Sequence, residues 1–290
     1  MKRLKGVVCA TITPMDENGR PDVNSFINLV EHLAKAGING IYPNGTNGES
    51  LSLLEDERMM MAEAAVRADR GNMAVYIQCG ASTEAETRRH VLHAKKIGAD
   101  GAGIMTPVFF ACDEKALEEY YDGLLSAEKD FPMYLYNIPS RAGNDITPAL
   151  FHRLMEKHDN LMGIKFSAPN LLRIQEYLIG APREADVLIG CDRLAACCVT
   201  EGGAGWVSGP AAVFADRFSA LYDAIKKEDK ASAFRIQREI TQTCIDMDGI
   251  PEIPAIKYML KKQGIIQNDT CRMPLRKLTD IEKIKLEILI

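Results

Sequence analysis

The sequence has no long apolar stretch, no extended basic block and no closely spaced cysteine motif. No run in it approaches the roughly 20 consecutive apolar residues that a membrane-spanning helix needs. The formal net charge is −5 and no basic block is longer than two residues, which is unlike a nucleic-acid-binding chain. We therefore expect neither a membrane nor a nucleic acid as a partner.

The eight cysteines include no C-x-x-C motif, and the five histidines fall in helical patterns without metal-site spacing. The N-terminal segment carries Lys2, Arg3 and Lys5, but neither a long apolar region nor a small-residue cleavage site follows it. A disulfide framework is not expected in a chain of this kind. The simplest expectation is a cytoplasmic protein without a resident metal ion.

What the sequence does contain is a regular alternation of short apolar runs and amphipathic segments. The predicted strands span residues 6–13, 40–43, 73–79, 101–107, 132–137, 161–167, 186–189 and 204–209. Helical patterns with polar caps and closing glycines separate them. Eight such units predict the α/β class and a closed (β/α)8 barrel, with a doubly wound open sheet as the alternative.

Beyond residue 216 the pattern becomes entirely helical. Helices are predicted at about 216–227, 230–246, 253–263 and 276–289, without a low-complexity linker. We therefore predict two domains, a (β/α)8 barrel over residues 1–215 and a helical bundle over residues 216–290.

One lysine lies inside an apolar run, at the end of the sixth predicted strand. Lys165 follows Leu161 to Ile164 and precedes Phe166 and Ser167. A buried lysine is unfavourable unless it has a partner or a reaction to perform. An amine desolvated in an apolar pocket has a lowered pKa and can attack a ketone to form a Schiff base. The alternative is a lysine that extends its ammonium group to water.

Other reactive side chains follow the strand ends, where barrel enzymes place their chemistry. Tyr136 ends the fifth strand and could transfer a proton, and Arg141 just beyond could bind a carboxylate with its planar guanidinium. A core tyrosine and a surface arginine are the alternative interpretations. Asp192 follows the seventh strand and could bind substrate hydroxyls, although a helix cap is the favoured interpretation.

The Gly-rich loop 44–50 follows the second strand. Its glycines allow a tight turn in which backbone N–H groups, Thr46 and Asn47 could bind an anion, most simply a carboxylate. An ordinary turn stabilised by Asn and Gly is the alternative. The loop is not a P-loop, because the Gly-Lys-Ser/Thr ending is missing.

Three motifs in this order carry a family resemblance: GTNGE at 45–49, YNIPSR at 136–141 and GIK at 163–165. The sequence resembles the dihydrodipicolinate synthase/N-acetylneuraminate lyase family of Schiff-base lyases over nearly its whole length. The resemblance implies a barrel with a C-terminal helical domain, usually a homotetramer. It also implies pyruvate or another 2-keto acid, together with an aldehyde, as the small-molecule substrates. No metal or other cofactor is expected, because the iminium itself supplies the positive charge.

The resemblance also implies roles for individual residues. Lys165 corresponds to the Schiff-base lysine, Tyr136 to the proton-relay tyrosine, and Thr46 to a further member of the catalytic group. The substrate-binding positions that it implies are Gly45, Thr46, Asn47, Arg141, Gly190, Val207 and Asp192. Among these, Gly190 and Val207 match positions whose backbone lines the pyruvate pocket.

Departures from the family pattern bear on the second substrate. Arg141 matches the arginine with which the synthases hold the carboxylate of aspartate semialdehyde, but Phe109 stands where they have a tyrosine that completes a proton relay. Residues 165–170 are more similar to the lyases. Asp192 matches an acid that binds sugar hydroxyls in the lyases, but Arg193 replaces the acid usually beside it.

We therefore predict a class I lyase or aldolase that condenses or releases pyruvate, similar to N-acetylneuraminate lyase or a related 2-keto-acid aldolase. The first alternative is a 4-hydroxy-tetrahydrodipicolinate synthase with a changed proton relay. The second alternative is a non-catalytic paralogue that binds a 2-keto acid. Phe109 favours this last alternative, and the retained Lys165, Tyr136 and Arg141 argue against it.

Overall fold

The computed structural model describes residues 2–290. The strands in these residues are β1 (Gly6–Cys9), β2 (Gly40–Ile41), β3 (Ala74–Gln78), β4 (Gly101–Met105), β5 (Met133–Asn137), β6 (Leu161–Phe166), β7 (Asp186–Ile189) and β8 (Gly205–Ser208). They close into a parallel barrel in chain order from β1 to β8. The predicted (β/α)8 barrel is therefore confirmed, and the open sheet is excluded.

Helices follow the strands and fill the C-terminal part of the chain. They are α1 (Val23–Lys35), α2 (Glu55–Arg67), α3 (Glu84–Lys96), α4 (Glu114–Ala127), α5 (Pro139–Ala142), α6 (Pro148–Lys157), α7 (Leu171–Ile179), α8 (Ala195–Thr200), α9 (Ala215–Lys226), α10 (Lys230–Asp246), α11 (Glu252–Lys262) and α12 (Asp280–Glu287). The four predicted C-terminal helices correspond to α9–α12. Within residues 2–290, no helix is long and apolar enough to cross a membrane.

Several helices begin where the sequence predicts a cap. Asp22, Thr83 and Asn170 each accept a hydrogen bond from the backbone N–H three residues later. Such a bond satisfies one of the free N–H groups of the first helical turn. The sequence did not predict the short helix α5, because Pro139 and Ser140 also suit a turn, yet Pro139 occupies its first position.

The chain forms two compact units by its contacts. The first contains Ala74–Val207 with the N-terminal segment through Gly6, and the second contains Val7–Met73 with Ser208–Ile290. These units are not the domains predicted from the helical pattern, and the boundary after residue 215 stays a prediction.

In the first unit, the amino-terminal ends of β5, β6 and β7 meet around the buried carboxylate of Asp186. Tyr134 and Arg3 both donate hydrogen bonds of 2.5 Å to this carboxylate. Burial raises the pKa of Asp186, and the two donors oppose the shift. Gly163 on β6 allows this close approach, because a Cβ there would collide with the Asp186 carbonyl oxygen. These groups join the N-terminal segment to the strands.

Candidate active site

Lys165 and Tyr136 form the central pair of the site. They lie directly opposite each other in the β5–β6 register, so their side chains share one face of the sheet. The Lys165 Nζ lies 3.9 Å from the centroid of the Tyr136 ring. The side chains are 5% and 1% exposed, respectively. The structure therefore places the predicted amine and the predicted proton-transfer residue in contact, in a desolvated setting.

Asn137, next to Tyr136, anchors the end of β5. Its amide donates hydrogen bonds to Asp145, to the Ile146 carbonyl and to the Tyr177 hydroxyl, at 2.7, 3.2 and 3.0 Å. Burial raises the pKa of Tyr177 to about 12, so its hydroxyl stays protonated at neutral pH and donates to the Ile146 carbonyl. No local pattern in the sequence predicts this role for Asn137, because its partners lie 8 to 40 residues away.

Gly190 lies just after β7, against the segment that follows Lys165. Its N–H donates to the Phe166 carbonyl at 2.8 Å. A Cβ at position 190 would lie 2.1 Å from the Ser167 Oγ, so glycine is required here by close packing. Val207 is buried on β8, whose pairing with β7 follows the same parallel pattern. Both predicted pocket positions therefore lie at strands of the barrel.

Arg141 lies in the last turn of α5 and its side chain is exposed. Helix α5 directly follows β5, so the motif 136–141 runs from the buried strand into a solvent-facing turn. Gly143 ends this helix in the left-handed conformation, with φ of 81°. The guanidinium is thus available to a ligand.

Phe109 is held in an unusual conformation in the loop between β4 and α4. Its φ is 76°, which is rare for a bulky residue, and its side chain is 91% exposed. Its ring makes an edge-to-face contact with Phe110, with centroids 5.2 Å apart. Asn144 fixes the loop: its amide donates to the carbonyls of Pro107 and Phe110 and accepts from the Cys112 N–H. No motif in the sequence had pointed to Asn144.

In the second unit, the loop after β2 forms a tight turn that carries Gly45, Thr46 and Asn47. Thr46 and Asn47 are half-buried, whereas the residues on both sides are buried. The Asn47 amide donates to the Glu252 carboxylate at 3.0 Å. A residue predicted to bind a substrate carboxylate therefore already contacts a carboxylate of the protein.

Asp192 is not the helix cap that the sequence favoured. It begins a 3₁₀ turn over Asp192–Leu194, and the N-cap position of α8 is Leu194, which forms no side-chain cap bond. The short turn between β7 and α8 shifts the helix start three residues beyond the aspartate, so the capping interpretation is wrong. In the part of the chain described here, no cluster of His, Cys, Asp and Glu side chains could hold a metal ion.

The chain is a (β/α)8-barrel protein with a buried lysine–tyrosine pair on β5 and β6. The model of the dihydrodipicolinate synthetase family matches residues 3–290 of the chain. The chain therefore belongs to this family.

Individual relatives carry two different activities. The chain is 30% identical to a 4-hydroxy-tetrahydrodipicolinate synthase of Bartonella bacilliformis, over 97% of this chain and 95% of the relative. It is 33% identical to the N-acetylneuraminate lyase of Rattus norvegicus, over 96% of this chain and 89% of the relative. Identity of this level to both does not assign the chain to either activity.

A solved structure with the same fold is a prophage protein of the dihydrodipicolinic acid synthase family from E. coli K12, in complex with pyruvate. The TM-score is 0.93 and the sequence identity is 25%, with 99% of this chain and 97% of that chain covered. The family and the barrel are thus established together.

Proposed function

We propose that the protein is a class I lyase or aldolase in which Lys165 forms a Schiff base with pyruvate or a pyruvate-yielding 2-keto acid. The observation that carries this proposal is the contact between the buried Lys165 amine and the Tyr136 ring. A lysine amine held beside a tyrosine in a buried site can attack a ketone and form a Schiff base. The pyruvate bound to the E. coli K12 neighbour supports the same class of substrate.

The proposed reaction follows from these groups. The Lys165 Nζ attacks the keto carbon, water leaves, and a cationic iminium forms. In the cleavage direction, the bond between the α and β carbons of the bound keto acid breaks, and its electron pair moves into the iminium to give an enamine. The hydroxyl on the β carbon passes its proton to Tyr136 as that carbon becomes the aldehyde carbonyl, and the proton of the tyrosine goes to the enamine carbon. Hydrolysis of the resulting iminium then releases pyruvate and the lysine.

We assign Thr46, Asn47 and the backbone at Gly45 to the carboxylate of the keto acid. Thr46 and Asn47 are the half-buried members of an otherwise buried turn, and such a turn presents N–H and side-chain donors to an anion. Gly190 and Val207 line the keto acid, and Asp192 contacts hydroxyls of the second substrate. Arg141, exposed after β5, binds an acidic group of that second substrate.

A panel of sugar acids and of aldehydes with and without a carboxylate tests the function. We expect pyruvate release or uptake with at least one of them, and no turnover by Lys165→Ala. In Arg141→Ala, KM should rise about tenfold for a partner with a second carboxylate and change little for a neutral one. An equal effect of Arg141→Ala on the charged and the neutral partner would contradict the role of this arginine.

The 4-hydroxy-tetrahydrodipicolinate synthase reaction is the second candidate, and the exposed Arg141 together with the Bartonella relative favours it. Phe109 argues against it, since a phenylalanine cannot carry the proton of the family's tyrosine. Condensation of pyruvate with aspartate semialdehyde at a normal rate would establish this candidate. It would also contradict our interpretation of Phe109. We further propose that the protein is a cytoplasmic homotetramer. Sedimentation equilibrium of the purified protein tests the number of subunits.

A further inference from the structure

The turn that carries Thr46 and Asn47 has a strained backbone on both sides. Asn44 and Glu49 adopt the left-handed conformation, with φ of 59° and 56°. Residues with a Cβ keep such angles only where surrounding contacts fix them. At Gly48 a Cβ would lie 3.1 Å from the Asn44 nitrogen, so the turn is also tightly packed. Some group must hold this shape.

Glu49 is the anchor of the turn. Lys257 on α11 donates to its carboxylate at 2.5 Å, and the Arg272 backbone N–H donates to the other oxygen at 2.9 Å. The side chains of Lys257 and Glu49 are 0% and 1% exposed. The Lys257 amine also donates to the Thr270 carbonyl at 2.7 Å. Hydrogen bonds between buried charged groups fix geometry more tightly than exposed ones do.

The following segment is fixed from the same part of the chain. The Arg272 guanidinium donates two hydrogen bonds of 2.6 Å to Glu57 and one of 2.7 Å to the Ser52 carbonyl. Glu252, at the first position of α11, accepts a hydrogen bond from the Asn47 amide. Groups from residues 252–272 therefore contact the turn and the chain that follows it.

We propose that Lys257 and Glu49 are positioning residues for carboxylate recognition. The pair holds the turn so that Thr46 and Asn47 present their donors to the carboxylate of the keto acid. This inference rests on the proposed function, which supplies that ligand. Since neither Lys257 nor Glu49 reaches solvent, the pair acts through the turn and does not touch the substrate.

The test compares borohydride trapping of pyruvate with that of pyruvamide, which keeps the ketone and lacks the charge. Glu49→Gln preserves the shape of the side chain and removes its charge. We expect the half-saturating pyruvate concentration to rise about tenfold in Glu49→Gln, with pyruvamide trapping nearly unchanged. The double variant Glu49→Gln/Lys257→Met removes both charges, avoids an isolated buried ion and should show the same selective loss. If the pair only supported the fold, its substitution would lower trapping of both ketones equally or of neither. Either result overturns the proposal.

Lys261→Met is the matched control. Lys261 lies one turn beyond Lys257 on α11 and forms a partly exposed ion pair with Asp269 at 2.7 Å. Its substitution should change trapping of neither ketone. Thr46→Ala distinguishes the positioning role from the proposed function. If Thr46→Ala selectively loses trapping of pyruvate and Glu49→Gln does not, the positioning role is wrong and the proposed function stands. If the wild-type protein traps neither ketone, both the positioning role and the proposed function are wrong.

Discussion

The surroundings of the Lys165 amine come from the strands on either side of it. Its partner in register on β7 is the buried Leu188, whose side chain shares its face of the sheet. The Tyr136 ring covers the amine from β5. The amine is therefore held in a buried position between β5 and β7, where a bound ketone would meet it away from bulk water.

Tyr136→Phe separates capture of the ketone from proton transfer. The substitution keeps the ring beside Lys165 and removes only the hydroxyl. We expect borohydride trapping with pyruvate to persist, while kcat falls by about 100-fold or more because the proton carrier is lost. Intact mass and steady-state rates measure the two effects.

Tyr134→Phe is the control for that experiment. Tyr134 lies two residues earlier on the same strand, and its buried hydroxyl binds Asp186. Its loss should lower stability and leave kcat within a small factor of the wild-type value. If Tyr136→Phe turned over at the wild-type rate, Tyr136 would not be the proton carrier.

Gly190→Ala tests the close packing beside the lysine strand. The added Cβ would meet the Ser167 Oγ at 2.1 Å, so we expect a loss of about 1–3 kcal/mol in the free energy of unfolding. Ser167→Gly in the same chain should recover much of this loss, since it removes the colliding atoms. Urea unfolding measures both.

Gly123→Ala on α4 is the matched control, because a Cβ there meets only the ends of side chains, at 3.9 Å or beyond. Alanine favours the helix, so this variant should be as stable as the wild type or more stable. A Gly190→Ala protein as stable as Gly123→Ala would contradict the packing argument.

At the scale of elements, the start of α12 depends on a charged cap. Thr279 and Glu282 form a capping box, and Arg276 donates two hydrogen bonds to the Glu282 carboxylate, at 2.8 and 2.6 Å. The Arg276 guanidinium, followed by the Thr279 N–H, lowers the pKa of Glu282 to about 2. The carboxylate is thus favoured in the folded state.

This lowered pKa predicts how α12 responds to acid. The stabilisation by ionised Glu282 is present above its ordinary pKa of 4.5 and is lost as the pH falls towards about 2. Between those values, the stability of the wild type should fall towards that of Glu282→Gln. An NMR titration of the carboxyl carbon checks the pKa directly, and Arg276→Met should raise it. Titration of wild-type Glu282 near 4.5 would contradict the cap.

Most elements were predictable from the sequence because their signals are local. Apolar runs and caps such as Asp22 and Thr83 gave strands and helix starts to within a few residues. Predicted strands were too long where apolar residues continue beyond the ladder, as after Cys9. Helix α5 was missed because a short proline-led helix and a turn have the same local composition.

At the scale of the whole molecule, eight strand–helix units favoured the closed barrel over an open sheet, because eight is the number of such units in the (β/α)8 barrel. The site was predictable only in part. The residue types of Lys165 and Tyr136 indicated their chemistry, but the distance between them depends on strand register. Lys257 could not be found, since its partner Glu49 lies 208 residues away and no local pattern joins them. The part of the site that could not be predicted from the sequence is thus the part formed by interactions between distant segments.

The central claim is that Lys165 forms a Schiff base with a 2-keto acid. The most direct measurement is peptide mapping by mass spectrometry after the wild-type protein is incubated with pyruvate and borohydride. The claim predicts one reduced pyruvate adduct, located on Lys165 and absent from Lys165→Ala. An unmodified wild-type protein, or an adduct that persists in Lys165→Ala, would contradict it.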